Sequence, residues 1–460
     1  MSSAEKVIRI DKKHIWHPFT QMKDYEQRHH IPIVRGKGMF LEDMNGNTYY
    51  DTISSWWTNL LGHSHPRINQ VISEQVQQLE HVIFAGFTHP YATEMIEKLV
   101  HFLPEKLSRY FFSDNGSTAV EVAIKMAFQY FQNQGMTGKT RFVMLENAYH
   151  GDTLGAVSVG GIDVYHQLYK PLMFESFKVS GLNCSTCPFR KSEYTFDARS
   201  TGCRVECFDQ MEEVIVKHHR EIAAVVVEPL LQGAAGMLVY PAQYLQKLRE
   251  ITAKYHILLI FDEVATGFGR TGTRFALEQA GVVPDIICLS KTLTAGYMPL
   301  ALTVATDEIF NAFYDDYLAG KTFFHGHSYT GNPLACRIAS ETLSILEEEN
   351  LPYSRQEQME HFHGHLQDFA QYDFIGDIRF LGFTGALDVV KSRENKESFS
   401  PETRIGFSIY EESLKHGIIL RPLGDTIYFM LPLIVEKQDL DEIFERTHNV
   451  LQKVVVPLLK

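Results

Sequence analysis

Short, unbroken apolar runs punctuate the middle of the chain: RFVML (141–145), AAVVV (223–227), ILLIF (257–261) and IICL (286–289), each bounded by loop-forming residues. Runs this short and this uniformly apolar read as strands buried on both faces, the pattern of central strands in parallel sheets. Between such runs the spacing changes: AVEVAIKMAFQYF carries apolar residues at 120, 123, 124, 127, 128 and 131, which predicts a helix, with Glu121 and Lys125 four apart on its outer side. A strand, loop and helix alternation from Pro66 to Gly331 predicts an α/β unit with a mostly parallel central sheet. Upstream, GMFLEDMNGNTYYD places strand-like pieces around an Asn45-Gly46 turn. Downstream, the long helix LACRIASETLSILEEEN leads to shorter strands, IGDIRFLGFTGALDVV and GIILRPLGDTIYFMLPLI, alternating with polar helices. The pattern divides the chain into an N-terminal segment, 1–65, that belongs with the smaller lobe, a large domain, 66–331, and a smaller α+β domain, 332–460.

Length and charge narrow the function. A chain of 460 residues exceeds one ordinary core, and 45% hydrophobic with 22% charged residues is a globular composition. The net charge of −13 argues against nucleic acid or an anionic membrane as partner and leaves a small molecule. No run approaches the roughly 18 apolar residues of a spanning helix, and the opening MSSAEKVIRIDKKHIWHPFT lacks a signal-like apolar core, so a cytoplasmic protein is expected. Six cysteines are too few for a disulfide scaffold and are expected reduced. Cys184-x2-Cys187 and Cys203-x3-Cys207 are loosely zinc-like, but the second pair is wide and the intervening YTFDARSTG is loop-like. Metal is expected neither there nor at His63/His65, His325/His327 or His361/His363/His365.

The chemistry concentrates at strand ends. ILLIF runs into Asp262 and IICL into Ser290 and Lys291, and open α/β sheets bind ligands at the carboxyl ends of their strands. An acid that pairs with a protonated ring nitrogen and a lysine that joins an aldehyde are the two groups by which proteins hold pyridoxal phosphate. Glu228 ends AAVVV in the same way; for either acid a structural ion pair or a helix N-cap is the plainer reading. SDNGST (113–118) joins a strand to a helix, where Gly116, Ser117 and Thr118 fit either an ordinary N-cap or an anion cradle. Tyr149 and His150 follow another strand and offer either a wall for a flat ring or a plain loop tyrosine. Trp56 and Trp57 in SSWW either wall a pocket or fill the core.

Taken together, these motifs resemble the class III, fold type I aminotransferases that use pyridoxal 5'-phosphate: FDEVATGFGRTG (261–272), LSKTLTAGYMPL (289–300) and SDNGSTAVEVAIKMA (113–127). Within that family, WHPFTQM (16–22), SSWW, AYHGDT (148–153), HGHSYTGNPLAC (325–336) and RPLGDTIY (421–428) are most similar to the branch that aminates 8-amino-7-oxononanoate in biotin synthesis. The resemblance implies roles. Lys291 links to the cofactor and moves the proton, Asp262 holds the ring nitrogen protonated, and Tyr149 and Val264 cover the two ring faces. Gly116, Ser117 and Thr118 bind the phosphate, with Glu228 near the cofactor. Ser328 of the partner subunit completes the phosphate site, so a homodimer with sites at its interface is implied. Arg421 grips the carboxylate of the keto acid, Trp56 and Phe19 line its path, and Arg270 lies near the amino donor. Members that use adenosylmethionine carry tyrosine where this chain has Phe19, and PFTQMKDY (18–25), YKPLMFESFK (169–178) and KTFFHGHSYTGN (321–332) resemble the lysine-using branch. Lysine is therefore the expected donor. Adenosylmethionine, another omega-aminotransferase substrate, or a non-catalytic cofactor-binding protein are the alternatives.

Overall fold

The computed structural model of the chain describes residues 3–189, 203–395 and 397–459. Seven strands build the central sheet: β1 Leu107–Ser113, β2 Arg141–Leu145, β3 Ser176–Val179, β4 Ile222–Val227, β5 Leu258–Asp262, β6 Ile286–Leu289 and β7 Ala301–Thr306. Their order is β1-β7-β6-β5-β4-β2-β3. The pairs β6/β5, β5/β4, β4/β2 and β2/β3 are parallel, while β7 runs antiparallel to both β6 and β1. The sheet is thus mostly parallel with one reversed strand. Neither β3 nor β7 is among the strands read from the sequence, because SFKV and ALTVAT lack the unbroken large apolar run of their neighbours.

Every residue of β4, β5 and β6 is buried. The alternation of side chains along a strand splits them between two layers. Ala224, Val226, Leu258, Ile260, Ile286 and Cys288 meet Ala119, Val120 and Ala123 of the helix Gly116–Asn133. Val225, Val227, Leu259, Phe261, Ile287 and Leu289 share a second cluster with Ala335, Ile338 and Leu343 of the helix Pro333–Glu348. That helix packs on Pro66–Gln75 and Pro90–Leu99, so the boundary expected near 331 falls where packing is continuous. Glu121 and Lys125 do not pair with each other as spacing predicts. Glu121 accepts from the Gly155 N–H at 2.6 Å, and Lys125 donates to the Phe324 carbonyl at 3.1 Å.

The N-terminal and C-terminal parts are joined. A three-stranded antiparallel sheet, Ile33–Lys37, Phe40–Asp43 and Thr48–Tyr50, ends where the Tyr50 N–H donates to Gly417 and the Met430 N–H donates back to Thr52. A second antiparallel sheet, Ile375–Leu381, Thr384–Val389 and Thr426–Met430, is flanked by helices Gln356–Asp368 and Lys437–Val455. Among the described residues no helix is long and apolar enough to cross a membrane.

Candidate active site

Strand register brings the acid and the amine together. Asp262, last in β5, is the partner of Cys288 in β6, and Lys291 follows three residues later. Asp262 is 5% exposed; one carboxylate oxygen accepts the Val264 N–H at 3.0 Å and the other meets Nδ1 of His150 at 2.7 Å. Burial alone would lower the basicity of His150, but the hydrogen bond and charge of Asp262 outweigh it and raise its pKa. Sequence reading offered His150 only beside Tyr149; its link to Asp262 spans 112 positions and has no local signal.

Lys291 sits in the left-handed region, φ 45°, a strained conformation for a side-chain-bearing residue. Its Nζ lies 4.5 Å from the centre of the Trp57 ring, and among the described residues it has no hydrogen-bond or ion-pair partner. Burial pulls its pKa from 10.5 down to about 8, opposed by Asp262 and Glu228 and assisted by Arg270. Glu228 accepts the N–H groups of Tyr149 at 3.1 Å and Gly233 at 3.0 Å, and burial pushes its carboxyl up to about 7. It holds the backbone that carries Tyr149. The Tyr149 hydroxyl donates to Asp152 at 2.8 Å, and burial raises its pKa.

These groups face one cavity of roughly 470 Å³, lined also by Trp57, Gly116, Ser117, Gly151, Thr153, Val264 and Thr266. Gly116 opens the helix Gly116–Asn133, whose first N–H groups have no intrahelical acceptor. A Cβ on Gly116 would stand 2.5 Å from Val264 Cγ1, and one on Gly151 would stand 2.4 Å from the Ser117 Cβ. Both glycines therefore keep the helix start open. Ser117 Oγ accepts the Thr153 N–H at 3.0 Å, tying the 151–153 loop to that start. Thr118 is not in the lining: its hydroxyl donates to Asp114 at 2.7 Å and closes a capping box with Asn115, so here the N-cap reading describes the side chain. Trp57 takes the pocket-wall alternative that the sequence offered, whereas Gly151, Thr153 and Thr266 are lining residues that sequence reading did not select. The residues fit pyridoxal phosphate: an open helix start for phosphate, a buried carboxylate, a free amine, and an aromatic ring and a valine on the walls.

A second group stands at Arg421. Ser54, Ser55, Trp56 and Trp57 all have positive φ, 51°, 45°, 70° and 72°. This left-handed turn is held by Asp51, which accepts the Ser55 N–H at 3.0 Å and hydroxyl at 2.6 Å and meets Nε2 of His63 at 2.9 Å. Trp57 is 3% exposed and reaches Lys291, whereas Trp56 is 39% exposed and lies 4.6 Å from the Arg421 guanidinium. Phe19 meets Trp56 and Tyr165 edge-on at 5.8 and 5.3 Å, and Tyr165 lies 6.3 Å from Tyr149. Arg421 has no carboxylate partner among the described residues. Arg270, expected near the donor, is fully buried and donates to the carbonyls of Leu431 and Asn59, both at 2.5 Å. Burial lowers its pKa to about 9, and it is not in the cavity lining. Ser328 is exposed, away from the cavity of its own chain, with its carbonyl 2.6 Å from His81 Nε2.

Cys184, Cys187, Cys203 and Cys207 border a separate cavity of roughly 430 Å³; burial pushes Cys207 up to about 11. The YTFDARSTG segment between the pairs lies outside the described residues.

Residues 21–451 match the family model for class-III aminotransferases. The chain is 42% identical over 431 residues to the adenosylmethionine-8-amino-7-oxononanoate aminotransferase of Geobacter sulfurreducens, covering 94% of each chain. It is also 42% identical over 435 residues to the enzyme of that name from Aquifex aeolicus, covering 95% of this chain and 94% of the relative. The crystal structure of the Methanocaldococcus jannaschii protein of the same name aligns with a TM-score of 0.91 at 36% identity, over 98% of this chain and 100% of that one. A PLP-bound amine transaminase from an uncultivated Pseudomonas species aligns with a TM-score of 0.89 at 31% identity, over 96% and 99%.

Proposed function

The chain belongs to the class-III aminotransferase family, whose members depend on pyridoxal phosphate, and from that premise we propose that it aminates 8-amino-7-oxononanoate to 7,8-diaminononanoate with L-lysine as donor. The observation that carries the acceptor is Arg421: a guanidinium with no carboxylate partner among the described residues, stacked on Trp56 near the aromatic passage of Phe19 and Tyr165. A cation among aromatic rings suits a substrate with an apolar chain and a terminal carboxylate. The names of the relatives, at 42% identity, support the same acceptor.

Bound in the cavity, the cofactor would supply an aldehyde to carry the amino group and a ring to take up an electron pair. Gly116 and Ser117 would hold its phosphate, Tyr149 and Val264 its ring faces, and Asp262 its ring nitrogen. The Val264 N–H and His150 keep the Asp262 carboxylate oriented. Lys291, neutral more readily than an exposed lysine, takes a proton at Nζ and returns it. Phe19 brings no hydroxyl to the passage, which supports lysine over adenosylmethionine; the relatives' names favour adenosylmethionine as the second reading. A homodimer is part of the proposal. Tyr317, Leu318, Phe324 and Tyr329, close to Ser328 in the sequence, are each 67% exposed or more, apolar side chains that a second copy would cover while lending Ser328 to the phosphate.

The test mixes cofactor-loaded protein with lysine or adenosylmethionine. Lysine should discharge the visible absorbance of the bound cofactor, and 8-amino-7-oxononanoate should restore it. Restoration by another keto compound and not by this one would overturn the substrate assignment; discharge by adenosylmethionine alone would overturn only the donor.

A further inference from the structure

His361 and His365 lie four residues apart on one face of the helix Gln356–Asp368, and Asp441 faces them from the helix Lys437–Val455. The two Nε2 atoms are 3.2 Å apart, and one Asp441 oxygen lies 2.7 Å from His361 Nε2 and 2.9 Å from His365 Nε2. Three ligand atoms of three residues thus converge on one point. Where both rings carry their proton on Nδ1, the two Nε2 lone pairs and the carboxylate oxygen face one another, an arrangement that a cation satisfies.

We propose that His361, His365 and Asp441 bind a borderline divalent transition metal, zinc(II) by chemical class, that joins these two helices. A triangle with those sides has a point about 1.7 Å from each corner, and a displacement of roughly 1.1 Å off its plane reaches the ~2.0–2.1 Å of zinc–nitrogen and zinc–oxygen bonds. Two histidines and a carboxylate suit zinc, nickel or copper better than magnesium or calcium, and three protein ligands leave a position for water. The orientation is fixed from behind: His365 stacks on Phe444 at 4.9 Å and 8° between planes. Side-chain exposures of 35%, 20% and 58% leave a path for the ion. His363 is not part of the site, since its Nε2 meets the Gly382 carbonyl at 2.8 Å. None of the three lines the cavity around Lys291, so the site is separate from the transamination chemistry.

Cobalt(II) is the probe, added to chelator-treated, cofactor-loaded protein and read by visible absorption and by metal content after dialysis. One ion per chain is expected, with ligand-field bands and no sulfur charge-transfer band; the latter separates this site from the cysteine group. H361Q and D441N should each weaken binding at least tenfold with unchanged circular dichroism and transaminase activity, and H363Q should bind as the parent does. Ion content unchanged in both H361Q and D441N, absorption dominated by sulfur ligation, or no retained ion in the parent protein would each overturn the proposal.

Discussion

The perturbed amine of Lys291 makes a quantitative prediction for the cofactor-free protein. Burial lowers its pKa from 10.5 to about 8. At pH 7 about one Lys291 in ten would be neutral, against about one in three thousand for an unperturbed lysine, a roughly 300-fold gain in the form that attacks an aldehyde. The sign for stability follows. Between about 8 and 10.5 the unfolded chain holds more protons than the folded one, so the cofactor-free protein gains stability from this group as pH rises through that window. Trace acetylation at a series of pH values, read by mass spectrometry of the Lys291 peptide, gives the titration midpoint directly. The parent should titrate near 8. Asp262 favours the charged ammonium, so D262N should move the midpoint further down. A parent midpoint at 10 or above, or an upward shift in D262N, would refute the account of burial opposed by a neighbouring anion.

Other perturbations report on other parts. R421M should raise KM for 8-amino-7-oxononanoate roughly 30- to 150-fold, from the loss of about 2–3 kcal/mol in a charge-assisted pair, while the bound-cofactor spectrum stays unchanged; an unaltered KM would remove Arg421 from substrate recognition. F19Y should speed the adenosylmethionine half-reaction by about fivefold, the worth of one hydrogen bond of ~1 kcal/mol, measured by stopped-flow absorbance. Burial works against ionisation of Asp51, but hydrogen bonds from His63 and Ser55 outweigh it and hold its pKa below 3.8, so its stabilisation is present at neutral pH and lost as pH falls through that depressed value. D51N should therefore lower stability by about 1–3 kcal/mol at pH 7, and the gap in urea midpoints should close on acidification. R379M should cost about 3–5 kcal/mol in chemical unfolding, because Arg379, 4% exposed, bonds Asp377 and Asp388 at 2.8 and 2.7 Å and would leave both without it.

What was legible in the sequence is what depends on neighbours along the chain. Runs such as ILLIF and IICL predicted buried strands, and each strand's end put Asp262 and Lys291 at one edge of the sheet, because side-chain alternation and strand length are local properties. Gly116 and Ser117 were readable as a helix start for the same reason. The resemblance to a family added roles that periodicity does not contain. It left open how each side chain spends its polar groups, and there Thr118 turned to capping and Arg270 to buried carbonyls.

Only the tertiary structure decided which distant groups meet. His150 reaches Asp262, Trp57 covers Lys291, Arg421 lies on Trp56, and Asp441 completes the pair His361 and His365. The physical reason is common to all four. A buried charge, a lone pair or a ring face is satisfied through space, at distances of a few ångströms, and its partner depends on how sheets and helices pack rather than on spacing in the chain. Local pattern thus determined the frame and the two reacting strand ends; packing determined the company they keep.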